Sequence, residues 1–392
     1  MKDYSKYGIM TKATHAGQGV DEDTGAIRRS IIMANSFKLP DDLSQLDWSG
    51  SVGNVYTRNG APNERWLEEK VKVLHEAEDC VVLASGVAAL HALFFTVLKS
   101  GDHAIISDNC YAAVYRQFTE LFPDKFGIEG TLVDTSDPQN IKDAVRPNTK
   151  LVHIETPGNP SLKITDIQAA ADIAHEAGAI LTVDNTFASP IDQLPLKYGA
   201  DVVVESLTKY INGSGDSLGG AVVGPKELLD KLRYEAQVNV GGVISPFAAW
   251  LILRGAATLP LRMKYVNDSS QKIAEWLEGY PGTRFVWYPG LPSTPNHEVA
   301  KKQMTGYGGV ISFGIKGTVQ QHFDFVAKLK LITSAVSLGH DETLILYLSP
   351  EDERNYLYPE PHKEGFYRFA IGLEDTEDII EDLRQAFEQV GL

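Results

Sequence analysis

The sequence has few cysteines and no long hydrophobic run. Its two cysteines, Cys80 and Cys110, form no C-x-x-C pair and are too few to build a zinc site. Apolar runs such as 247–253 are far shorter than the ~20 residues that a membrane span needs. Residues 1–14 lack the apolar segment of a signal peptide. These absences exclude a disulfide-stapled mini-protein. They predict a soluble chain in a reducing, cytoplasmic setting, with no membrane partner and no metal site.

Basic residues are also scarce relative to acidic ones. Lys and Arg number 36 against 52 Asp and Glu, a formal charge of −16. This excess of acidic residues argues against a surface that binds nucleic acid or anionic lipid, because such a surface would need clustered positive charge. Hydrophobic residues make up 43% of the 392, an ordinary balance for a globular protein. A chain of this length predicts two or three domains with a large core.

The first 62 residues have weak periodicity and are interrupted by several glycines and by Pro40. We interpret 1–62 as an extended arm that contacts a neighbouring subunit. The alternative is a frayed terminus, but Trp48 and Tyr56 would be costly to leave in water.

Residues 63–245 alternate short apolar segments with amphipathic ones, which predicts a mostly parallel sheet covered by helices on both faces. The predicted strands are 80–83, 103–107, 150–155, 179–183 and 201–205. The predicted helices are 63–76, with Asn63 as N-cap, 86–98, 112–121 and 166–177.

Residues 246–392 have a different texture, which predicts a smaller α+β domain. Helices are expected at 246–262, 267–278 and 378–390, and strands at 309–314, 344–347 and 367–371.

Chemically useful residues follow several predicted strands, where α/β sheets bind their ligands. Lys209 lies between hydroxyl residues, and a lysine desolvated there could attack an aldehyde as a neutral amine. Ser206 and Thr208 could bind one phosphate, helped by the helix N-terminus at Gly86. A buried Asp184 needs a partner such as a pyridinium N–H. Together these residues predict a pyridoxal 5'-phosphate (PLP) site.

Longer motifs extend this prediction. The stretch Glu205-Ser-Leu-Thr-Lys-Tyr-Ile-Asn-Gly-Ser-Gly-Asp-Ser-Leu-Gly219 resembles the cofactor-lysine signature of the Cys/Met metabolism (transsulfuration) family of PLP-dependent enzymes. Further matches occur in order at 156–160, 183–186, 337–344 and 368–375. The resemblance implies an aspartate-aminotransferase-like fold (fold type I), with a mostly parallel seven-stranded sheet and a smaller C-terminal α+β domain.

The resemblance also implies roles for individual residues. Lys209 would hold the cofactor and shuttle protons, with Asp184 on the pyridinium nitrogen. The remaining cofactor contacts would be Asn159 at the ring hydroxyl, Tyr111 on the ring face, and Gly86, Val87, Ser206 and Thr208 at the phosphate. Tyr56 and Arg58 would reach the phosphate of the neighbouring subunit. Arg368, helped by Ser337, would bind the substrate carboxylate.

Some positions depart from the family's usual pattern. Ala113 stands where methionine-specific lyases often have cysteine, and Ser214 stands where a histidine is usual. His340 and Asp341 follow Ser337-Leu-Gly339 in place of Gly-Gly or Asp-Ala, and 349–354 replaces a Pro-x-x-Met-Thr-His segment. These differences leave the substrate open.

The resemblance implies α,γ-elimination from a sulfur amino acid, as in methionine and cystathionine γ-lyases, by a homotetramer built from two dimers. The products would be a 2-oxo acid, ammonia and a thiol. The alternative is γ-replacement on an O-acylhomoserine, as in cystathionine γ-synthase or a sulfhydrylase, and β-elimination from cystathionine comes third. A non-catalytic protein would be expected to lose Lys209, Asp184 or Arg368, and all three are present. The sequence lacks the glycine fingerprint of a nicotinamide-dependent dehydrogenase.

Overall fold

The computed structural model describes residues 3–46 and 53–392. Trp48, which supported the prediction of a packed arm, lies outside the described residues. Tyr56 remains 38% exposed. Both cysteines are buried and unpaired. No helix in the described ranges is long and apolar enough to cross a membrane.

A seven-stranded sheet forms the centre of the first domain, with the strand order β1-β7-β6-β5-β4-β2-β3. Strand β7 runs antiparallel to β1 and β6, and the other neighbours are parallel. This is the mostly parallel seven-stranded sheet that the resemblance implied. Its strands are β1 Asp79–Leu83, β2 His103–Ser107, β3 Glu129–Val133, β4 Thr149–Glu155, β5 Ile180–Asp184, β6 Val202–Glu205 and β7 Gly220–Gly224.

Both faces of this sheet are covered, because side chains along a strand alternate in direction. On β6, Val203 packs into the core on one face while Val202 and Val204 pack into the core on the other. The first face is covered by helices Pro62–Leu74 and Pro246–Gly255, and the second by helices that include Gly86–Val97 and Lys226–Leu232. Strands β4, β5 and β6 therefore have their carboxyl ends at one edge of a sheet that is buried on both faces.

The α-helices of the described residues vary in length from 4 residues to 21. The α-helices are Ile9–His15, Pro62–Leu74, Gly86–Val97, Ala112–Arg116, Phe122–Phe126, Pro138–Asp143, Ile167–Glu176, Ser189–Asp192, Lys226–Leu232, Pro246–Gly255, Leu259–Gly279, His297–Gln303, Val319–Lys328, Glu360–Lys363 and Thr376–Gln389. Two π-helical segments, Gln117–Leu121 and Arg233–Val238, extend their preceding helices. Short 3₁₀ turns occur at Leu43–Gln45, Thr57–Asn59, Pro195–Tyr198, Ala256–Thr258 and Asn355–Leu357.

Two details of the predicted helices are wrong. Asn63 does not cap its helix, because the helix begins at Pro62 with Ala61 as the N-cap. The Asn63 side chain instead accepts a hydrogen bond from Ile32 N–H and donates one to Ser30 O, which fixes the arm to the domain. The predicted helix 246–262 ends at Gly255. A new helix begins at Leu259, since Pro260 lacks an N–H and is tolerated in a first turn.

A second sheet of five strands has the order β10-β11-β12-β9-β8. Only the short pairing of β10 with β11 is parallel. Helices Leu259–Gly279, Val319–Lys328 and Thr376–Gln389 contribute to its core. The strands are β8 Thr283–Trp287, β9 Val310–Ile315, β10 Thr333–Ser334, β11 Leu344–Leu348 and β12 Phe366–Ala370.

One helix contributes to the cores of both sheets. Leu259 and Met263 of helix Leu259–Gly279 belong to the core beside the large sheet, while Ile273 and Leu277 belong to the core of the second sheet. Helix Pro246–Gly255 packs with the large sheet. The predicted domain division after residue 245 stays a prediction.

Candidate active site

A cavity of about 540 Å³ lies between the carboxyl edge of the large sheet and the second sheet. Ten of the twelve residues predicted for the site line this cavity. They are Gly86, Val87, Tyr111, Asn159, Asp184, Ser206, Thr208, Lys209, Ser337 and Arg368. They come from seven separate stretches of the chain, so the fold brings together what the sequence keeps far apart.

One end of the cavity is formed by the start of helix Gly86–Val97. Ser85 caps this helix, with its Oγ accepting Ala88 N–H at 3.1 Å. A Cβ on Gly86 would lie 2.9 Å from Ser206 Cβ, so glycine is required for this close approach. The first helical N–H groups, which have no partner within the helix, therefore lie beside a serine at the cavity wall.

Thr208 is held by the backbone at the same end. Its hydroxyl donates to Gly219 O at 3.2 Å and accepts Gly219 N–H at 3.1 Å. Ser206 N–H donates to Thr186 Oγ1 at 2.9 Å. These bonds fix the turn that carries Lys209.

Three neighbouring strands of the large sheet end in carboxylates. Glu155 ends β4, Asp184 ends β5 and Glu205 ends β6, and Glu155 and Asp184 are in register. Each has hydrogen-bond donors. Glu155 accepts the N–H groups of Tyr111 and Asn159 at 2.7 and 3.0 Å, and Asp184 accepts that of Thr186 at 3.0 Å. The backbone around the cavity is thus organised by acidic side chains.

Burial changes the protonation of these groups. It raises the pKa of Asp184 to about 6; hydrogen bonds from Thr186 lower that pKa, while the nearby charge of Glu205 raises it. Burial also raises the pKa of Glu155 well above its usual range, and the charge of Asp184 adds to this rise. No cationic side chain among the described residues forms an ion pair with Asp184, so a cationic N–H in the cavity would stabilise its charged form.

Lys209 is the amine of the cavity. Its Nζ donates to Ser337 Oγ at 2.6 Å. Burial lowers the pKa of Lys209 to about 8, and the positive charge of Arg368 lowers it further. A substantial fraction of this amine is therefore neutral near pH 7–8 and can act as a nucleophile or base.

Arg368 extends into the cavity from the middle of β12. Its Nη1 donates to Asn159 Oδ1 at 3.1 Å and its Nη2 to Ser337 O at 3.0 Å. Its Nε is buried without a partner among the described residues. A guanidinium held in this way offers a donor to an incoming carboxylate.

Tyr111 lies at the mouth of the cavity, and its side chain is 43% exposed. Tyr56 and Arg58 do not line the cavity. They pack against each other on the arm, with the guanidinium carbon of Arg58 5.1 Å from the centre of the Tyr56 ring. Within one chain, Tyr56 and Arg58 therefore lie apart from the ten predicted residues that line the cavity.

Two charged residues that line the cavity, Glu155 and Arg354, were not predicted from the sequence. Glu155 is the last residue of a predicted strand, and that position was its available signal. Arg354 had none, because its Nη1 donates at 3.0 Å to the backbone oxygen of Cys110, which is distant along the chain.

Two further contacts accompany this bond at the mouth. Tyr115 Oη lies 2.9 Å from Tyr356 Oη, and Arg116 pairs with Glu353 at 3.4 Å. We call these three the mouth contacts. They join the two domains across the opening of the cavity.

The residues present fit PLP. Its phosphate would lie against Gly86, Val87, Ser206 and Thr208 at the helix N-terminus. Its aldehyde requires an amine, and Lys209 is that amine. The buried Asp184, which has no cationic partner in the described chain, would be satisfied by a pyridinium N–H.

Comparison with known proteins agrees with this geometry. The profile of the family described as Cys/Met metabolism PLP-dependent enzyme matches residues 10–388. Canavanine γ-lyase from Pseudomonas canavaninivorans is 47% identical over 99% of this chain and 98% of its own length. Cystathionine γ-lyase from Bacillus subtilis (strain 168) is 40% identical over 97% and 99%, respectively.

A solved structure has the same fold. The crystal structure of metB from Corynebacterium glutamicum superimposes with a TM-score of 0.91 at 39% identity, covering 99% of this chain and 100% of that one. The predicted fold class and the PLP dependence are confirmed, and the names of the γ-lyase relatives agree with the predicted γ-elimination. The chain belongs to the Cys/Met metabolism family of PLP-dependent enzymes.

Proposed function

We propose that this protein eliminates the γ-substituent of a sulfur amino acid, either methionine or cystathionine. The observation that carries the proposal is the convergence of Lys209, Asp184 and Arg368 on one cavity. When bound, PLP supplies an electron sink for the electron pair left at the substrate's Cα. The protein must then orient the substrate and move protons, and the three residues have the chemistry for these tasks.

Arg368 would bind the substrate carboxylate through its free Nε and adjacent nitrogens, which places Cα near Lys209. Lys209 Nζ, with its pKa lowered to about 8, would take the Cα proton, assist removal of the Cβ proton and protonate the leaving group. Asp184, as a carboxylate, would hold the proton on the cofactor nitrogen. Asn159 would contact the ring hydroxyl, and Tyr111 would cover the ring at the mouth.

A second substrate, canavanine, is favoured by a specific observation. Two relatives named canavanine γ-lyase are each 47% identical to this chain, against 40% for the cystathionine γ-lyase of Bacillus subtilis and 39% for the L-methionine γ-lyase of Fusobacterium nucleatum. The departures at Ala113 and 349–354 also separate this chain from the usual methionine pattern. Canavanine carries its γ-substituent through oxygen, so the same proton transfers would release an oxygen leaving group.

The test compares Lys209→Ala with Lys301→Ala, which removes a largely exposed lysine from helix His297–Gln303. The parent and the Lys301 variant should bind PLP, with a visible band that shifts on substrate addition, and should release 2-oxo acid and ammonia from L-methionine or L-cystathionine. L-canavanine and O-acetylhomoserine with cysteine complete the panel. If O-acetylhomoserine were the only substrate to release 2-oxo acid, and added thiol suppressed that release, the reaction would be γ-replacement. Full turnover by Lys209→Ala with PLP present would refute the mechanism.

We also propose a homotetramer of two dimers in the cytoplasm. The arm exposes Ile27, Met33 and Leu43, each by 63% or more, and a second subunit would cover such apolar side chains. Tyr56 and Arg58 lie outside their own cavity and would complete that of the partner. Two buried, unpaired thiols suit a reducing compartment.

A further inference from the structure

A hydrogen-bond chain leads from Lys209 to a histidine that has no role in the mechanism above. Lys209 Nζ donates to Ser337 Oγ at 2.6 Å, and Ser337 Oγ lies 3.1 Å from His340 Nε2. His340 follows the cavity loop that carries Ser337 and is half-buried at its edge. Its imidazole is thus two hydrogen bonds away from the amine that moves the protons.

The donor and acceptor groups set the direction of these two hydrogen bonds. A lysine ammonium has only donors, so Ser337 Oγ must be the acceptor in its bond with Lys209. The single hydroxyl hydrogen of Ser337 is then available to donate to His340 Nε2. That bond requires Nε2 to be unprotonated and places the hydrogen of the neutral ring on Nδ1.

The surrounding backbone holds both members of the chain in place. Ser337 has a φ of +84°, a conformation uncommon for a residue with a Cβ, and its carbonyl accepts Arg368 Nη2 at 3.0 Å. On the other side, a Cβ on Gly215 would lie 2.9 Å from His340 Nδ1, so the ring packs closely on this glycine. Gly215 and His340 come from different domains, and their contact fixes the ring against the turn that follows Lys209.

Burial of the ring favours its neutral form. Burial lowers the pKa of His340 and the positive charge of Lys209 lowers it further, while Asp341 and Glu342 raise it. A neutral imidazole with an unprotonated Nε2 is able to accept a proton from a neighbouring hydroxyl.

We propose that His340 is a positioning residue that accepts, through Ser337, the first proton that Lys209 takes up, the one from Cα, so that the later Cβ proton stays on Lys209 for the leaving group. In this step the Lys209 N–H bond breaks as a new Ser337 O–H bond forms, and the former Ser337 O–H bond breaks as His340 Nε2–H forms. Lys209 becomes a neutral amine and His340 an imidazolium, so charge and atoms balance. The half-buried ring then releases its proton to solvent. This inference rests on the proposed role of Lys209.

The test replaces the imidazole with a group that can accept the Ser337 hydrogen bond but cannot take a proton. We expect His340→Gln to lower kcat by about tenfold, to leave KM nearly unchanged, and to remove the acid limb of the kcat–pH profile. His175→Gln is the matched control, because it removes an exposed histidine that pairs with Asp201 at 2.9 Å on the protein surface. It should leave the profile unchanged. A parental profile in His340→Gln would overturn the proposal.

A second measurement does not depend on turnover. In histidine-¹⁵N-labelled holoenzyme, we expect neutral His340 to carry its hydrogen on Nδ1, and Ser337→Ala to shift its Nε2 resonance. A neutral ring protonated on Nε2 would refute the relay, even if His340→Gln were poorly folded. Lys209→Ala separates the two proposals: if it keeps full turnover, the proposed function fails, whereas parental behaviour of His340→Gln alone defeats only the relay.

Discussion

Arg368 has a geometry that a lysine cannot reproduce. Two of its nitrogens hold Asn159 and Ser337, and the third is buried without a partner in the described chain. Arg368→Lys keeps the charge but loses this planar arrangement. We expect kcat/KM to fall roughly 30-fold, corresponding to about 2 kcal/mol, mainly through KM and with PLP still bound.

Steady-state kinetics with the visible spectrum of the bound cofactor measure this effect. Arg284→Lys is the control, because Arg284 is also partly buried but contacts Gly365 O and Glu364 away from the cavity. Equal losses in the two variants would contradict a role for Arg368 in binding the substrate.

Asp184 makes the cofactor-free protein sensitive to pH. Its folded-state pKa of about 6 lies above the usual 3.8, so between these values the folded state binds more protons than the unfolded state. The free energy of unfolding should therefore fall as the pH rises from about 4 to 6, with Asp184 contributing about 2 kcal/mol to the decrease.

Asp184→Asn should remove this contribution, so that the variant without PLP is the more stable of the two at pH 7. Urea unfolding of both proteins at pH 4.5 and 7 measures the difference. The variant should also bind PLP more weakly, because a neutral amide cannot stabilise a pyridinium charge. A constant stability difference across this pH range would argue against the raised pKa.

At the scale of the structural elements, two of the mouth contacts differ in how far they are exposed to solvent. Arg354 is buried, and it satisfies the carbonyl of Cys110. Arg116 is 48% exposed and pairs with Glu353 in solvent. We expect Arg354→Met to lower the free energy of unfolding by about 1–3 kcal/mol, because it leaves a buried carbonyl without its donor.

Arg116→Met serves as the matched control, and it should change stability by about 0.5 kcal/mol or less. Urea unfolding midpoints of the two variants make the comparison. If both lost the same stability, the burial of Arg354 would not be the cause.

Strands with continuous apolar character were predictable from sequence, and β2 was predicted at its observed bounds, His103–Ser107. Strand β3, Glu129–Val133, was missed because it lies at the sheet edge, where no residue is fully buried and the apolar signal is weak. Strand β7, Gly220–Gly224, was missed because glycines at both ends resemble a loop. Local pattern thus predicts buried strands, including β1 at the opposite edge, better than exposed or glycine-bounded ones.

The site followed the same rule. Lys209 and Asp184 were found because both lie at the carboxyl ends of buried strands: Asp184 ends β5, and Lys209 lies in the turn after β6. The relation of Lys209 to Ser337 and His340, and of Arg354 to Cys110, depends on packing between domains that no local pattern encodes. Ten residues that line the cavity were predicted, but the hydrogen bonds that connect them were not.

At the scale of the whole molecule, the position of Tyr56 and Arg58 leads to a complementation test. If each cavity takes Lys209 from its own subunit and Arg58 from its partner, Lys209→Ala and Arg58→Ala subunits are each inactive alone. Mixed dimers would contain one intact site. Co-expression at equal amounts should then restore about a quarter of the parental activity.

Activity is measured on the co-purified mixture, with each variant alone as the baseline. A mixture of Lys209→Ala and Arg368→Ala subunits is the control, because both residues belong to the same chain's cavity and no mixed dimer restores a site. Recovery in the control as well would contradict the shared site, as would no recovery in the first mixture.

Helix Leu259–Gly279 has a consequence for how the molecule unfolds. Leu259 and Met263 are buried in one core, and Ile273 and Leu277 in the other, within a single unbroken helix. Both cores share this helix, so unfolding of either core takes a packing partner away from the other. Neither half can melt first without exposing the apolar side chains it shares, and the chain should lose its structure in one cooperative thermal transition.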